Sequence, residues 1–168
     1  MRGMGIASRV HALIALLLML AVVGSTGCAK QKEEGPALLS EEEILAEYAT
    51  AAADLELPPG FEFPGMPLDG QEGVWQEGCG LVAAQMYWQR AWEIEWLEQR
   101  GKDPAREAAA LDVLKNQVPE KDFMTKYADA STHGVWTEYV SQAEMGDPSG
   151  IQRDVDLNPM TVEREVVE

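Results

Sequence analysis

Gly80 to Arg100 reads GLVAAQMYWQRAWEIEWLEQR. Trp88, Trp92 and Trp96 recur at every fourth residue, so on a helix they share one side. Leu81 and Ala84 extend that side, and Met86, Tyr87, Ile94 and Leu97 widen it. Gln85, Gln89, Arg90, Glu93, Glu95 and Glu98 interrupt the apolar character, so this helix is not a bilayer span. Tryptophans at this spacing read first as core. The alternative is a recognition face formed by Trp88, Trp92 and Trp96 together with Trp75.

The neighbouring stretches carry their own helix signals. Upstream, Ser40-Glu41-Glu42-Glu43 is a capping box that predicts a helix to about Ala53, with Ile44, Tyr48, Ala51 and Ala52 inward. Pro58-Pro59-Gly60 stops it. Residues 56–78 (ELPPGFEFPGMPLDGQEGVWQEG) are rich in Pro and Gly. Phe61, Phe63, Met66 and Trp75 predict that this segment lies across the core, because a free linker needs no aromatics. Downstream, Gly101 suits the position just past a helix end. Asp103-Pro104 restarts the chain as N-cap and first helical residue, to about Gln117, with Ala108, Leu111 and Leu114/Lys115 inward. Pro119 opens a shorter helix over 119–130 carrying Phe123 and Tyr127. VWTEYV (135–140) is strand-prone, yet Val135, Tyr139 and Gln142 keep helical spacing and no strand partner is evident, so it reads as helix. The fold class is mainly α: a small bundle of four or five helices with a long Pro/Gly-rich irregular segment packed across it. It occupies 40–150, and an acidic tail, 151–168, follows Gly146-Asp147-Pro148-Ser149-Gly150.

The chain has 168 residues, room for one domain, and a formal charge of -16. In residues 1–27, Arg2 and Arg9 are the only cations and there is no acid, so 11 cations face 29 acids beyond them. Such a surface repels phosphate backbones and excludes nucleic-acid partners. Two cysteines and two histidines leave almost nothing for a zinc or iron–sulfur site, and no cofactor is implied.

Residues 1–27 read as an export address. Arg2 and Arg9 precede an apolar run, Ala12 to Val23, and Gly24-Ser25-Thr26-Gly27 leads to Cys28. Twelve apolar residues span about 18 Å as a helix, short of the roughly 30 Å hydrocarbon core. The stretch resembles bacterial lipoprotein signals, which implies cleavage before Cys28 and acylation of its sulfur, a palmitate-type lipid included. An uncleaved anchor and simple secretion are the alternatives, and all three export the remainder. Residues 28–39 then form a tether.

Several constellations bear on chemistry. Gly78-Cys79-Gly80 places a thiol at a helix N-terminus, and His133 and Asp147 follow in the order of the papain-like peptidases, which the set resembles. That resemblance implies Cys79 as nucleophile, His133 as base, Asp147 as orienter and Gln76 as an oxyanion donor. The weightier reading is a structural cysteine, or a Cys28–Cys79 disulfide if Cys28 is not acylated. Asp154, Asp156, Asn158 and Glu165 match positions of a calcium loop, but Pro159 stands where glycine is needed, so a solvated tail is the expectation and no metal is assigned. Glu93, Glu95 and Glu98 could be glycosidase carboxylates, and are expected to be surface groups. His133, four residues after Asp129, reads as structural.

Leu57-Pro58-Pro59-Gly60-Phe61-Glu62-Phe63-Pro64, Gly78-Cys79-Gly80, Trp88 to Leu97 (WQRAWEIEWL) and Gly146 to Gln152 (GDPSGIQ) together resemble a group of small anchored or exported actinobacterial proteins. Members of that group often have a cysteine directly before the Ala-Trp pair, where this chain has Arg90, so the resemblance implies no disulfide there. It implies export and a scaffold role for the aromatics, and no activity. The expected function is a membrane-tethered, extracytoplasmic helical binding module of the cell envelope. Its expected partners are the membrane, through the lipid on Cys28, and another envelope protein. The alternative is a cysteine peptidase or amidase using Cys79, His133 and Asp147.

Overall fold

The structure is a computed structural model that describes residues 36–66, 68 and 73–160. The export address, Cys28 and Glu165 lie outside the described residues. Among the described residues the architecture is mainly α, as expected. Five α-helices run α1 (Glu41–Ala53), α2 (Cys79–Gln99), α3 (Pro104–Asp112), α4 (Ala130–Glu144) and α5 (Ser149–Leu157). A two-residue antiparallel ladder joins β1 (Leu38–Leu39) to β2 (Trp75–Gln76). The ladder draws Leu38 and Leu39 out of the expected tether and into the folded unit, which begins at Pro36.

The local signals act where the sequence places them. Ser40 Oγ accepts from the Glu43 amide and the Glu43 carboxylate accepts from the Ser40 amide, both halves of the capping box. Asp103 accepts from the Ala105 and Arg106 amides at 3.1 Å, and Gly101 takes φ 67° just past α2. No described helix is long and apolar enough to cross a membrane.

α2 lies at the centre. Trp88 and Trp96 are buried in one cluster with Ala110, Val113, Leu114, Trp136, Val140 and Ile151. Its N-terminal half packs on α1 through Ala84, Tyr48 and Ala51. The two helices touch backbone to backbone at Gly80, where a Cβ would stand 2.7 Å from the Ile44 carbonyl oxygen and 2.8 Å from the Tyr48 amide nitrogen. Backbone cannot rotate aside as a side chain can. Gly80→Ala is therefore expected to lose about 1–3 kcal/mol by forcing the helices apart, read as a lower urea midpoint at unchanged slope. A loss under about 0.5 kcal/mol would mean that α1 shifts freely, as surface changes allow.

The irregular segment packs across α2, as its aromatics predict. Helix side chains supply what its unpaired backbone lacks. Trp88 and Trp92 both donate their indole N–H to the Glu56 carbonyl, at 2.8 and 3.1 Å. The Tyr87 hydroxyl donates to the Glu62 carbonyl (2.7 Å) and the Tyr48 hydroxyl to that of Pro64 (3.1 Å). Phe63 meets Tyr48 edge-on at 6.3 Å between ring centroids. Each ring buries its apolar body and spends its polar tip on an otherwise unsatisfied carbonyl.

Four expectations are corrected in whole or in part. The inward face of α3 is Ala110, followed by Val113 and Leu114, with Leu111 half-buried against the core, while Ala108 and Lys115 are exposed. Arg106 reaches across to Glu95 and sets the rotation of α3, and the chain widens into a π turn over Val113–Gln117. The helix expected over 119–130 is instead a 3₁₀ turn, Val118–Glu120, and a second π turn, Phe123–Tyr127. Buried Gln85 holds that second turn by accepting from the Phe123 amide at 3.0 Å. α4 forms as expected but buries Trp136, Val140 and Ala143, with Val135 exposed. The first half of the expected tail is helix α5, docked through Ile151, which is fully buried.

Candidate functional site

Trp88 and Trp96 are 2% and 0% exposed, Trp92 and Trp75 half-buried. Trp88 and Trp96 are thus core, and Trp92 packs against that core from its edge. Arg100 caps Trp96 with its guanidinium 5.1 Å from the ring, and the Lys121 ammonium lies 4.7 Å over Trp88.

The carboxylates expected at the surface are also corrected. Glu93 and Glu95 are 0% and 1% exposed, and Glu98 is half-buried. Burial of a carboxylate is tolerated only with a partner, and each has an arginine. Arg106 grips Glu95 in a fork, Nε and Nη2 at 2.6 and 2.8 Å. Arg90, 4% exposed, sets Nη1 2.5 Å from Glu93 Oε2. Its Nη2 donates to Asp154 on α5, at 3.1 Å to the carbonyl and 3.2 Å to Oδ2. Gln89 donates to Glu93 Oε1 at 2.7 Å. One arginine thus serves two acids from different helices, at the position where the resembling proteins often carry cysteine.

Burial, and then the facing Asp154 charge, push the Glu93 carboxyl well above the usual carboxylate range, against the pull of Arg90 and Gln89. In that interval the native state holds a proton that the unfolded chain has released. This contribution to stability is complete below the ordinary carboxylate value and is lost as pH rises towards the raised one. Glu93→Gln keeps the shape and removes the titration. From about pH 5 upward, until native Glu93 ionises, the wild type is expected to lose stability relative to Glu93→Gln, with a slope up to about 1.4 kcal/mol per pH unit. Urea midpoints across that range measure it. Parallel curves would show that Glu93 stays ionised in the native protein.

Above this cluster a groove of about 340 Å³ opens between α2, the Phe123–Tyr127 turn, α4 and α5. Its walls include Met86, Phe123, Tyr127, Val135, Tyr139 and Met160, and Gln89, Arg90 and Asp154 supply its polar end. Met86, Tyr127 and Val135 are among the large apolar side chains left exposed, at 43%, 58% and 47%. Val135, expected to face the core, lines this groove instead, and Tyr139 packs against the core while also forming part of the groove wall. Sequence reading missed it because its walls come from elements as far apart as Val82 and Met160. The one available signal was the apolar face of α4, which proved to be a groove wall.

The cysteine–histidine–acid set is not assembled as a triad. Cys79 is an exposed free thiol at the start of α2. The N–H groups beside it are taken by Glu47, whose carboxylate accepts from Gly78 at 2.7 Å and Gly80 at 2.9 Å. A thiolate there would meet a carboxylate already seated on the helix end. His133 stands in the first turn of α4, and Asp147 lies beyond its last residue, Glu144. About 16 Å of helix axis separates His133 from that end, too far for an orienting hydrogen bond. Both acids near these positions serve as caps. Asp129 accepts from Ser131 and Thr132, which hold its carboxyl down at about 2. Asp147 accepts from the Ser149 amide at 2.9 Å, which lowers its carboxyl below the usual range. Gln76 is exposed in β2.

Asp154 and Asp156 lie in the last turns of α5, a helix and not a loop. Asp154 is held by Arg90, and Asp156 accepts from Gln152 at 2.9 Å. Among the described residues no group of three or more His, Cys, Asp or Glu is placed to hold a metal. Compared with protein-family models, curated proteins and solved structures, the chain matches none.

Proposed function

We propose that this protein is a membrane-tethered, extracytoplasmic helical binding module of the bacterial cell envelope, akin to the small anchored actinobacterial proteins it resembles, with the groove above Arg90 as its binding site. The observation that carries the binding reading is the groove itself. It is open, walled by methionines and aromatics, and closed at one end by buried charge. Ligand sites are concave, mostly apolar and oriented by few polar groups, with volumes from about 300 Å³ upward. Methionines suit such a wall because their unbranched side chains adapt to an occupant. The tether reading rests on Arg2, Arg9, the Ala12–Val23 run and Cys28. Under it the partners are the membrane, through lipid on Cys28, and another envelope protein.

Two measurements test the two halves. An intact mass from native membranes should start at Cys28 and include a diacylglyceryl group, and an unlipidated chain overturns the tether. For the groove, phenethyl alcohol titrated onto the methyl-labelled protein should shift the Met86, Met124 and Met160 resonances, which line it, and leave Met145 still. Met145 is 78% exposed and lies elsewhere. Equal movement of all four, or of none, removes the binding reading.

A further inference from the structure

The chemistry of the groove's polar end narrows its occupant. Around Arg90 one guanidinium faces two carboxyl groups, Glu93 and Asp154; with both ionised the cluster would be one positive charge short, and the proton that Glu93 holds makes up that charge. Other cations nearby do not fill the gap. Arg153 is exposed and does not line the groove, Lys126 pairs with Asp122 at 2.9 Å, and Lys121 lies over Trp88. Asp154 is the one carboxylate among the lining residues, and its side chain is 21% exposed. Its oxygens receive long hydrogen bonds, 3.2 Å from Arg90 to Oδ2 and 3.2 Å from Asn158 to Oδ1, and also face the Glu93 carboxyl. A carboxylate has about four acceptor sites, so capacity remains on the groove side.

We propose that the groove takes an amphipathic amine, with an apolar or aromatic body against Met86, Phe123, Tyr127, Val135 and Tyr139 and its ammonium on the Asp154 carboxylate. The rings of Phe123, Tyr127 and Tyr139 add faces that attract a cation. A chain of net charge -16 draws cations towards it. An anionic ligand would face Asp154 and find Arg90 already committed to two acids. The buried donors Arg90 Nε and Trp136 Nε1 are shut off from solvent and offer an acceptor no open contact, which leaves an anion only neutral hydroxyl and amide donors such as Thr132 and Asn158. The bound ammonium supplies the missing charge, so Glu93 releases its proton on binding. The charged groups facing Glu93 are Arg90 on α2 and Asp154 on α5, and the phenols of Tyr127 and Tyr139 line the same groove.

This inference rests on the groove being a binding site, and the test separates the two. Phenethylammonium, phenethyl alcohol and 3-phenylpropionate share one ring and differ in head group. They are titrated calorimetrically onto the full-length protein in nanodiscs, with empty nanodiscs as blank. The ammonium is expected to bind at least tenfold tighter than the alcohol, and the carboxylate weakest. The ammonium's affinity should tighten as pH rises above the ordinary carboxylate range, since an alkylamine stays charged to about pH 10. Asp154→Asn should bring ammonium and alcohol within twofold of each other. Because Asp154 also helps to dock α5, a second variant, Val135→Trp, fills the groove from an exposed position and should weaken ammonium and alcohol alike. Equal binding of alcohol and ammonium, or tighter binding of the carboxylate, overturns the amine and keeps the groove. An ammonium preference that survives in Asp154→Asn overturns the role of Asp154. No binding by any probe overturns both the amine and the groove reading.

Discussion

Trp96→Ala is expected to lower the unfolding free energy by about 3–5 kcal/mol, the range for truncating a large buried aromatic. Trp96 is fully buried in the main cluster, among side chains from α2, α3, α4 and α5. Rigid helices converging on one ring cannot all move in to fill the void, so both transfer and cavity terms apply. The loss also removes the ring beneath the Arg100 guanidinium, which reaches on to the Gly146 carbonyl at 2.6 Å. The melting temperature should fall by roughly 10–20 °C. Trp92→Ala, at a half-buried ring, should lose well under half as much. Circular dichroism through urea measures both. A Trp96→Ala loss below about 1.5 kcal/mol would mean that the bundle collapses around the gap.

Arg90→Met should be of similar size, about 3–5 kcal/mol, once pH is high enough for native Glu93 to ionise, because it then leaves a buried carboxylate without its partner. Glu93, 0% exposed, would retain Gln89 but lose its ion pair, and Asp154 would lose its link from α5 to α2. The pH dependence carries the sign. Without Arg90 the Glu93 carboxyl is raised further, so the variant's deficit grows as pH rises through the already raised value of the native protein and is smallest below it. Adding Glu93→Met to Arg90→Met should recover much of the loss, since an apolar replacement of a whole buried pair is tolerated where half a pair is not. A deficit that does not vary with pH would assign Arg90 a packing role alone.

What was legible in the sequence is what is decided within a few residues. Ser40 and Glu43, Asp103 and Pro104, and Gly101 mark helix ends because a cap acts over one turn. Trp88 and Trp96 were legible as core because a repeat of four keeps one face of a helix. The Pro/Gly-rich segment was legible as a cover because its aromatics need burial. The inward faces of α3 and α4 were legible only in part, in Leu111, Leu114 and Tyr139, since helix rotation is set by partners elsewhere. Arg106 turns α3 towards Glu95, and Val135 stands in the groove wall and not in the core. Nor could spacing reveal that Glu47, 31 residues upstream, caps Gly78.

The sequence by itself determined the helical class, the capped starts of α1 and α3, and the net charge of -16. These follow from local backbone chemistry and from composition, which need no tertiary contact. Only the tertiary structure decided that Glu93 and Glu95 are interior and that His133 and Asp147 stand apart. It also placed Arg90 against Asp154, 64 residues away, beneath an open groove. A carboxylate is inside or outside according to whether a cation from elsewhere reaches it. That is a property of packing between elements, which no spacing along one helix contains.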